Sequence, residues 1–405
     1  MKMAAAFVIA ASLTLPAAWA NGEKPVLGIE WNPTVGARLT WVDPGTLALR
    51  PGSRVYLAGH TSPWSFSPDR TKLALAGDGA TLRFVDVRKL RVLKDISLAR
   101  AANTRYLDWA RADRLLALVQ GPTNDSFVVV VDASRRRVLS TISLGERPIY
   151  GAARFSGGLA FLLGTGGVDE EGTIVGGHDP ATLGVVDASG TLRTIALDGV
   201  FAGFTKFGDG PAELRRPGFT VDPAADRAFV VEADFSVTAT DLNTLRFSYH
   251  RQIARSLAKY PYGPALVARW LGKGVLAVAG ANSGTPFGLR LIDTRNWSTR
   301  VVDANIASFD VGRQVLVGTD NPLGYEPHHY SVYGVDGSPR YGLDVAADQS
   351  LVVQGSYAYV CRGRGLMRVL DASTGAMLHR FRDPNLPICT TLLYGQSSDG
   401  NILPF

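Results

Sequence analysis

Apolar positions along this chain fall in short runs, many of them alternating with polar ones, and each run ends at a cluster of polar or small residues. That is the period-two signature of β-strands punctuated by turns. The clearest unit is Gly365 to Leu370, closed by Asp371-Ala372-Ser373-Thr374-Gly375 and followed by a further strand, Ala376 to Arg382. The same strand-Asp-turn punctuation recurs at Asp43, Asp86, Asp132, Asp187, Asp241, Asp293 and Asp336. An Asp before a small or turn-forming residue accepts hydrogen bonds from backbone N–H groups and stabilises a tight reversal, so these carboxylates read as structural. Helical spacing is not sustained anywhere; Gln252 to Ala258 is the one stretch that would allow a single helical turn on a loop.

The intervals between these aspartates run from 35 to 55 residues, and each holds four beats. After Asp43 come an outer strand around Thr46 to Tyr56, then Pro63 to Ser67, the turn Pro68-Asp69-Arg70, Thr71 to Ala76, and Thr81 to Val85. Second strands follow at Arg114 to Val119, Gly158 to Leu163, Arg227 to Glu232, Gly274 to Ala279, Gln314 to Gly318 and Ser356 to Cys361. Third strands follow at Ser126 to Val131, Ala181 to Val186, Ser236 to Thr240, Gly288 to Ile292, His329 to Val335 and Gly365 to Leu370. One four-stranded sheet per repeat of about 40 to 45 residues is the signature of a β-propeller, so the expected class is all-β, a single propeller over residues 21–405.

The ends of the chain decide the blade count. Pro25 to Trp31 and Ala37 to Val42 form two strands of a blade lacking its innermost member, and Thr390 to Tyr394 is one strand without a sheet. Completing one blade from both termini joins first to last and hides sheet edges. Eight blades are therefore expected, with seven the alternative if the N-terminal pair pads a neighbouring blade.

Phe66-Ser67-Pro68-Asp69-Arg70-Thr71-Lys72-Leu73-Ala74-Leu75 resembles the signature of WD40-like and YVTN-type propellers, and the stretch from Val221-Asp222-Pro223 through Arg227 to Val231 is a looser instance. The resemblance covers nearly the whole chain at the level of repeats. It implies an architecture and no transferable catalytic residues, and the Gly-His and Trp-Asp marks of strict WD40 repeats are absent.

Met1 to Ala20 reads as a secretory signal peptide: one early Lys, an apolar run from Ala4 to Pro16, and Ala18-Trp19-Ala20 before a cleavage point ahead of Asn21. The expected location is secreted or periplasmic. The run is too short to span a bilayer and no later segment is long enough, so no membrane span is expected. Formal net charge is +6, one less without Lys2. The basic runs Arg135-Arg136-Arg137 and Arg215-Arg216 are short and scattered and read as solvated turn residues, which argues against a nucleic-acid partner. The two cysteines, Cys361 and Cys389, are expected to form a disulfide in an oxidising compartment.

Irregular sequence collects between second and third strands, at Gly121 to Asp125, Gly164 to Pro180, Gly280 to Phe287 and Thr319 to His328. Loops confined to one face are how such rings display a binding surface. They supply the candidate ligand-binding residues His178, Asp179, Asp320, Glu326 and His328. Asp169, Glu170 and Glu171 in a Gly-rich loop could hold Ca²⁺, the only cofactor suggested, although their spacing fits no EF-hand. At a strand entrance His328 and His329 would face opposite sides and could not readily share one ion. No phosphate loop and no Gly-x-Ser-x-Gly elbow occurs. The expected function is a non-enzymatic module binding a protein or small-molecule ligand. The alternative is a lyase or hydrolase with a His/carboxylate site at the channel mouth. A quinoprotein-type redox enzyme is disfavoured, because the seven Trp recur at no repeated position.

Overall fold

The structure, a computed structural model, describes residues 26–32, 36–47, 49–57, 63–78, 81–98, 103–121, 125–168, 174–205, 213–232, 234–253, 265–282, 285–320, 328–346, 349–362, 366–382 and 391–393. These residues form β-structure and turns without a helix. Eight principal sheets follow one another along the chain, each an antiparallel meander from an inner to an outer strand. Blade 1 is Thr391–Leu393, Val26–Asn32, Gly36–Val42 and Leu49–Leu57, in that order from the channel outward. Blades 2 to 8 begin with the inner strands Trp64–Phe66, Asn103–Arg111, Ile149–Phe155, Gly218–Asp222, Ala265–Gly272, Ser308–Val311 and Gln349–Gln354.

The ring closes as its ends imply. The C-terminal strand pairs with the first strand of the chain through Leu27 with Leu393, Gly28 with Leu392 and Ile29 with Thr391. The eighth blade then meets blade 1 where the Tyr359 hydroxyl donates to the carbonyl of Pro44 at 3.0 Å. Eight sheets set aside the seven-blade alternative. Observed strand bounds differ from those read in the sequence by at most a few residues, as with Val275–Asn282 against Gly274 to Ala279. Of the stretch expected to allow a helical turn, Gln252 ends the strand Arg246–Gln252, and residues 254–258 lie outside those described. Residues 1–20, expected to be a signal peptide, also lie outside them. Cys361 sits in the strand Tyr357–Arg362, and Cys389 falls outside, so the disulfide belongs with the expectations.

Burial explains why second and third strands are so apolar. Every residue of Gly158–Leu163 is buried, whereas the outermost strand Arg246–Gln252 is almost wholly exposed. A middle strand is covered on both sides by neighbouring blades, so it cannot alternate, while the outer edge meets water. Between blades 2 and 3, Trp109 packs edge-on against Phe84, ring centroids 6.0 Å apart, and its indole N–H donates to the carbonyl of Ser65. Comparable clusters fill the successive junctions, for example Phe161 with Tyr106 between blades 3 and 4, and Phe155 with Phe219 between blades 4 and 5. A side chain as large and as fully buried as these contributes about 1.5 to 3 kcal/mol.

Candidate functional site

The meander fixes two unlike faces. Turns from first to second and from third to fourth strands leave one end of the blades, the lower face. Connections from second to third strands, and from each fourth strand to the next blade, leave the other end, the upper face.

On the lower face the repeated aspartates are consumed by their own turns. Asp371 accepts from the N–H groups of Ser373 and Thr374 and from both their hydroxyls, and Asp241 accepts from Asn243 N–H, Thr244 N–H and the Thr244 hydroxyl. These bonds hold both carboxyls below the usual range, led in Asp371 by the Ser373 hydroxyl and in Asp241 by the Thr244 N–H. The Phe66 to Leu75 stretch does the same in its turn: Asp69 accepts from the Ser67 hydroxyl and from Thr71 N–H, with Arg70 in the left-handed region at φ 54°.

The upper face is irregular, and above blades 4 and 5 it carries two added hairpins. Gly167–Val168 pairs with Ile174–Val175, and Gly203–Thr205 pairs with Glu213–Arg215. Parallel bridges join the first to the second, Thr165 with Gly203 and Gly177 with Thr205. The approach is so close that a Cβ on Gly203, at φ +94°, would lie 2.2 Å from the Thr165 carbonyl oxygen, which is why the position is Gly. The Tyr150 ring lies under this junction, and a Cβ on Gly164 would meet its edge at 2.4 Å.

Around that ring the upper ends of three consecutive inner strands bring charge together. Arg105, near the start of the blade 3 inner strand, is half-buried and donates from Nε to Gln120 Oε1 at 3.2 Å. Tyr150, the second residue of the blade 4 inner strand, is 8% exposed, and burial pushes its hydroxyl up to about 12, so it stays protonated. Arg216 precedes the blade 5 inner strand, held by the bond from Leu266 N–H to its carbonyl at 2.8 Å. Its Nε is buried and has no hydrogen-bond partner among the described residues. Burial lowers the pKa of both guanidiniums, and in each Tyr150 is the group that opposes it. Glu232, at the upper end of the blade 5 second strand, accepts from Phe201 N–H at 3.0 Å. Burial pushes its carboxyl up to about 7, Asp234 adds to that, and Arg215 opposes it. Arg215 lies over the Phe201 ring at 5.9 Å. The solvated reading therefore holds at Arg135 and Arg137, which are exposed, and is corrected at Arg215-Arg216, which the second hairpin folds into the mouth between blades 4 and 5.

Those candidates read from the sequence that are among the described residues occupy this face in two groups. His178 and Asp179 are exposed in the blade 4 connection, where Asp179 lies 3.7 Å from Arg147. Asp320 is exposed and His328 buried at the two ends of the blade 7 connection. No hydrogen bond or ion pair joins the two groups among the described residues, and Glu326, Asp169, Glu170 and Glu171 lie outside them. The two histidines part as the strand period requires: His328 packs edge-on against Tyr330 with its Nδ1 unpartnered among the described residues, while His329 turns out to Asp344 at 2.7 Å. Among the described residues no three His, Cys, Asp or Glu converge as a metal site would require.

Arg105, Tyr150, Arg216 and Glu232 escaped the sequence reading. They lie at or beside the upper ends of separate strands with no motif between them, and the only local signal was Arg215-Arg216, which looks like any other basic pair.

No protein-family model matches this sequence, and no curated protein matches it. Solved structures do resemble the fold. NirN, a dihydro-heme d1 dehydrogenase in complex with DHE, is 13% identical over 93% of this chain and 78% of that one, with a TM-score of 0.61. BamB from Moraxella catarrhalis is 11% identical over 81% and 89%, and Saccharomyces cerevisiae Sqt1 is 11% identical over 82% and 88%, each with a TM-score of 0.53. At this identity the likeness is one of fold, that of a β-propeller.

Proposed function

We propose that this chain is an exported, non-enzymatic binding module, secreted or periplasmic, whose upper face takes a protein or small-molecule ligand. The observation that carries this reading is the contrast between the faces. The repeated aspartates of the lower face accept from their own turns, whereas the upper face carries the two added hairpins; Thr104 Oγ1, Arg216 Nε and His328 Nδ1 there are buried without partners among the described residues, as Arg114 Nη1 and Thr299 Oγ1 are near the lower end. Polar groups gathered at the mouth of a rigid ring are the usual form of a ligand site. NirN, whose structure holds DHE, supports reading such a ring as a ligand holder, by analogy of fold alone. His178 and Asp179 on one side, and Asp320 and His328 on the other, form the rim in this reading, with Glu326, outside the described residues, expected to join them.

The test starts from a ligand found by pull-down from the exported fraction or by a thermal-shift screen. Asp179→Ala and Glu326→Ala should each weaken that ligand with folding nearly unchanged, as for surface substitutions generally. Binding that survives loss of the whole rim would overturn the reading. One observation favours the alternative, a lyase or hydrolase: Glu232 titrates near neutrality in a buried setting, as a general acid or base does. Turnover of a bound compound that Glu232→Gln abolishes would decide for it.

A further inference from the structure

Resting on that reading, we propose that Arg105, Tyr150 and Arg216 form a subsite for an oxyanion, the carboxylate or phosphate group by which the upper face holds its ligand. Two half-buried arginines come from the blades that flank the one carrying Tyr150, at the upper ends of their inner strands, and neither forms an ion pair among the described residues. Arg105 spends Nε on the neutral Gln120, and Arg216 keeps a buried Nε without a partner among the described residues. A guanidinium withdrawn from water and left uncompensated is costly, and an anion between the two relieves that cost. Arginine's planar fork matches the paired oxygens of a carboxylate or phosphate. Glu232 does not supply the missing charge: the charged groups that act on it are Asp234 and Arg215, and neither Arg105 nor Arg216 is among them.

The donors are also fixed in place. Tyr150 is wedged against Gly164 and Gly203, and the Arg216 backbone is tied to blade 6 through Ala265 and Leu266. Because the Tyr150 hydroxyl remains protonated, it is available as a third donor. Groups held before the ligand arrives lose little freedom on binding it.

Isothermal titration of the full chain from Asn21 onward, with pyrophosphate and citrate as probes at low salt and glucose as the neutral control, tests this. Saturable binding of either anion, weakened about tenfold or more by Arg105→Gln and by Arg216→Gln, supports the subsite. Tyr150→Phe should weaken it less, and Arg135→Gln on the lower face should leave it unchanged. Citrate alone would point to a carboxylate ligand, pyrophosphate alone to a phosphate. Should circular dichroism show either Gln variant unfolded, Arg105→Lys and Arg216→Lys replace it, keeping the charge and losing the fork, with the same drop expected. Failure of both anions to bind, or wild-type affinity in the arginine variants, overturns the inference. If neither anion binds while a ligand captured from the exported fraction still depends on Asp179, the binding module stands and this subsite falls.

Discussion

Replacing Glu232 with Gln should stabilise the protein at alkaline pH and change it little in acid. The native carboxyl titrates near 7 because burial disfavours its charge, against an ordinary value of 4.5. Between those values the folded state holds a proton that the unfolded state has released, so stability falls as pH rises through that window. The gap between the two values corresponds to about 3 kcal/mol once the group is fully ionised, of which about 2 to 3 kcal/mol is lost between pH 5 and pH 8. In the Glu232→Gln variant the side-chain amide oxygen would still accept the Phe201 N–H, and there is no charge to desolvate. Urea and thermal denaturation of both proteins at stepped pH read the difference directly. At pH 8 the variant's melting temperature should exceed wild type by about 3 °C relative to their difference at pH 5. A difference that stays flat across pH, or that grows toward acid, would refute the burial of Glu232 and with it the electrostatics assigned to the mouth.

Three further outcomes follow from the packing. Trp109→Ala removes a fully buried ring and its bond to the Ser65 carbonyl, and should cost about 3 to 5 kcal/mol in urea denaturation. Asp371→Ala leaves the Ser373 and Thr374 N–H groups without their acceptor and should cost about 1 to 2 kcal/mol, with Asp371→Asn restoring part of it in the same measurement. Tyr359→Phe should cost about 1 to 2 kcal/mol by leaving the Pro44 carbonyl unsatisfied at the junction of blades 8 and 1, with hydrogen exchange rising in Gly36–Val42.

The architecture was legible because it is written in local, repeated chemistry. Each third strand must reverse, and the Asp that satisfies the reversal is visible in the sequence at Asp132, Asp241 or Asp371 without knowledge of any distant partner. Closure was legible because strands left over at both ends needed each other. The mouth was not, because its residues acquire meaning only through contacts far apart in sequence: Arg105, Tyr150 and Arg216 come from blades 3, 4 and 5. The hairpin that folds Arg215-Arg216 inward has strands of three residues, too short for periodicity to register. The rim histidines were half legible: strand alternation separates His328 from His329, but nothing local indicates which of them is buried.

The central claim, that ligand is taken on the upper face, is tested most directly by hydrogen exchange of the full chain with and without whichever ligand the thermal-shift screen returns. Added protection is expected at the start of Asn103–Arg111 and in Gly203–Thr205 and Glu213–Arg215, with the Asp132, Asp241 and Asp371 turns unchanged. Protection confined to those turns, or to the outer strands such as Arg246–Gln252, would contradict it.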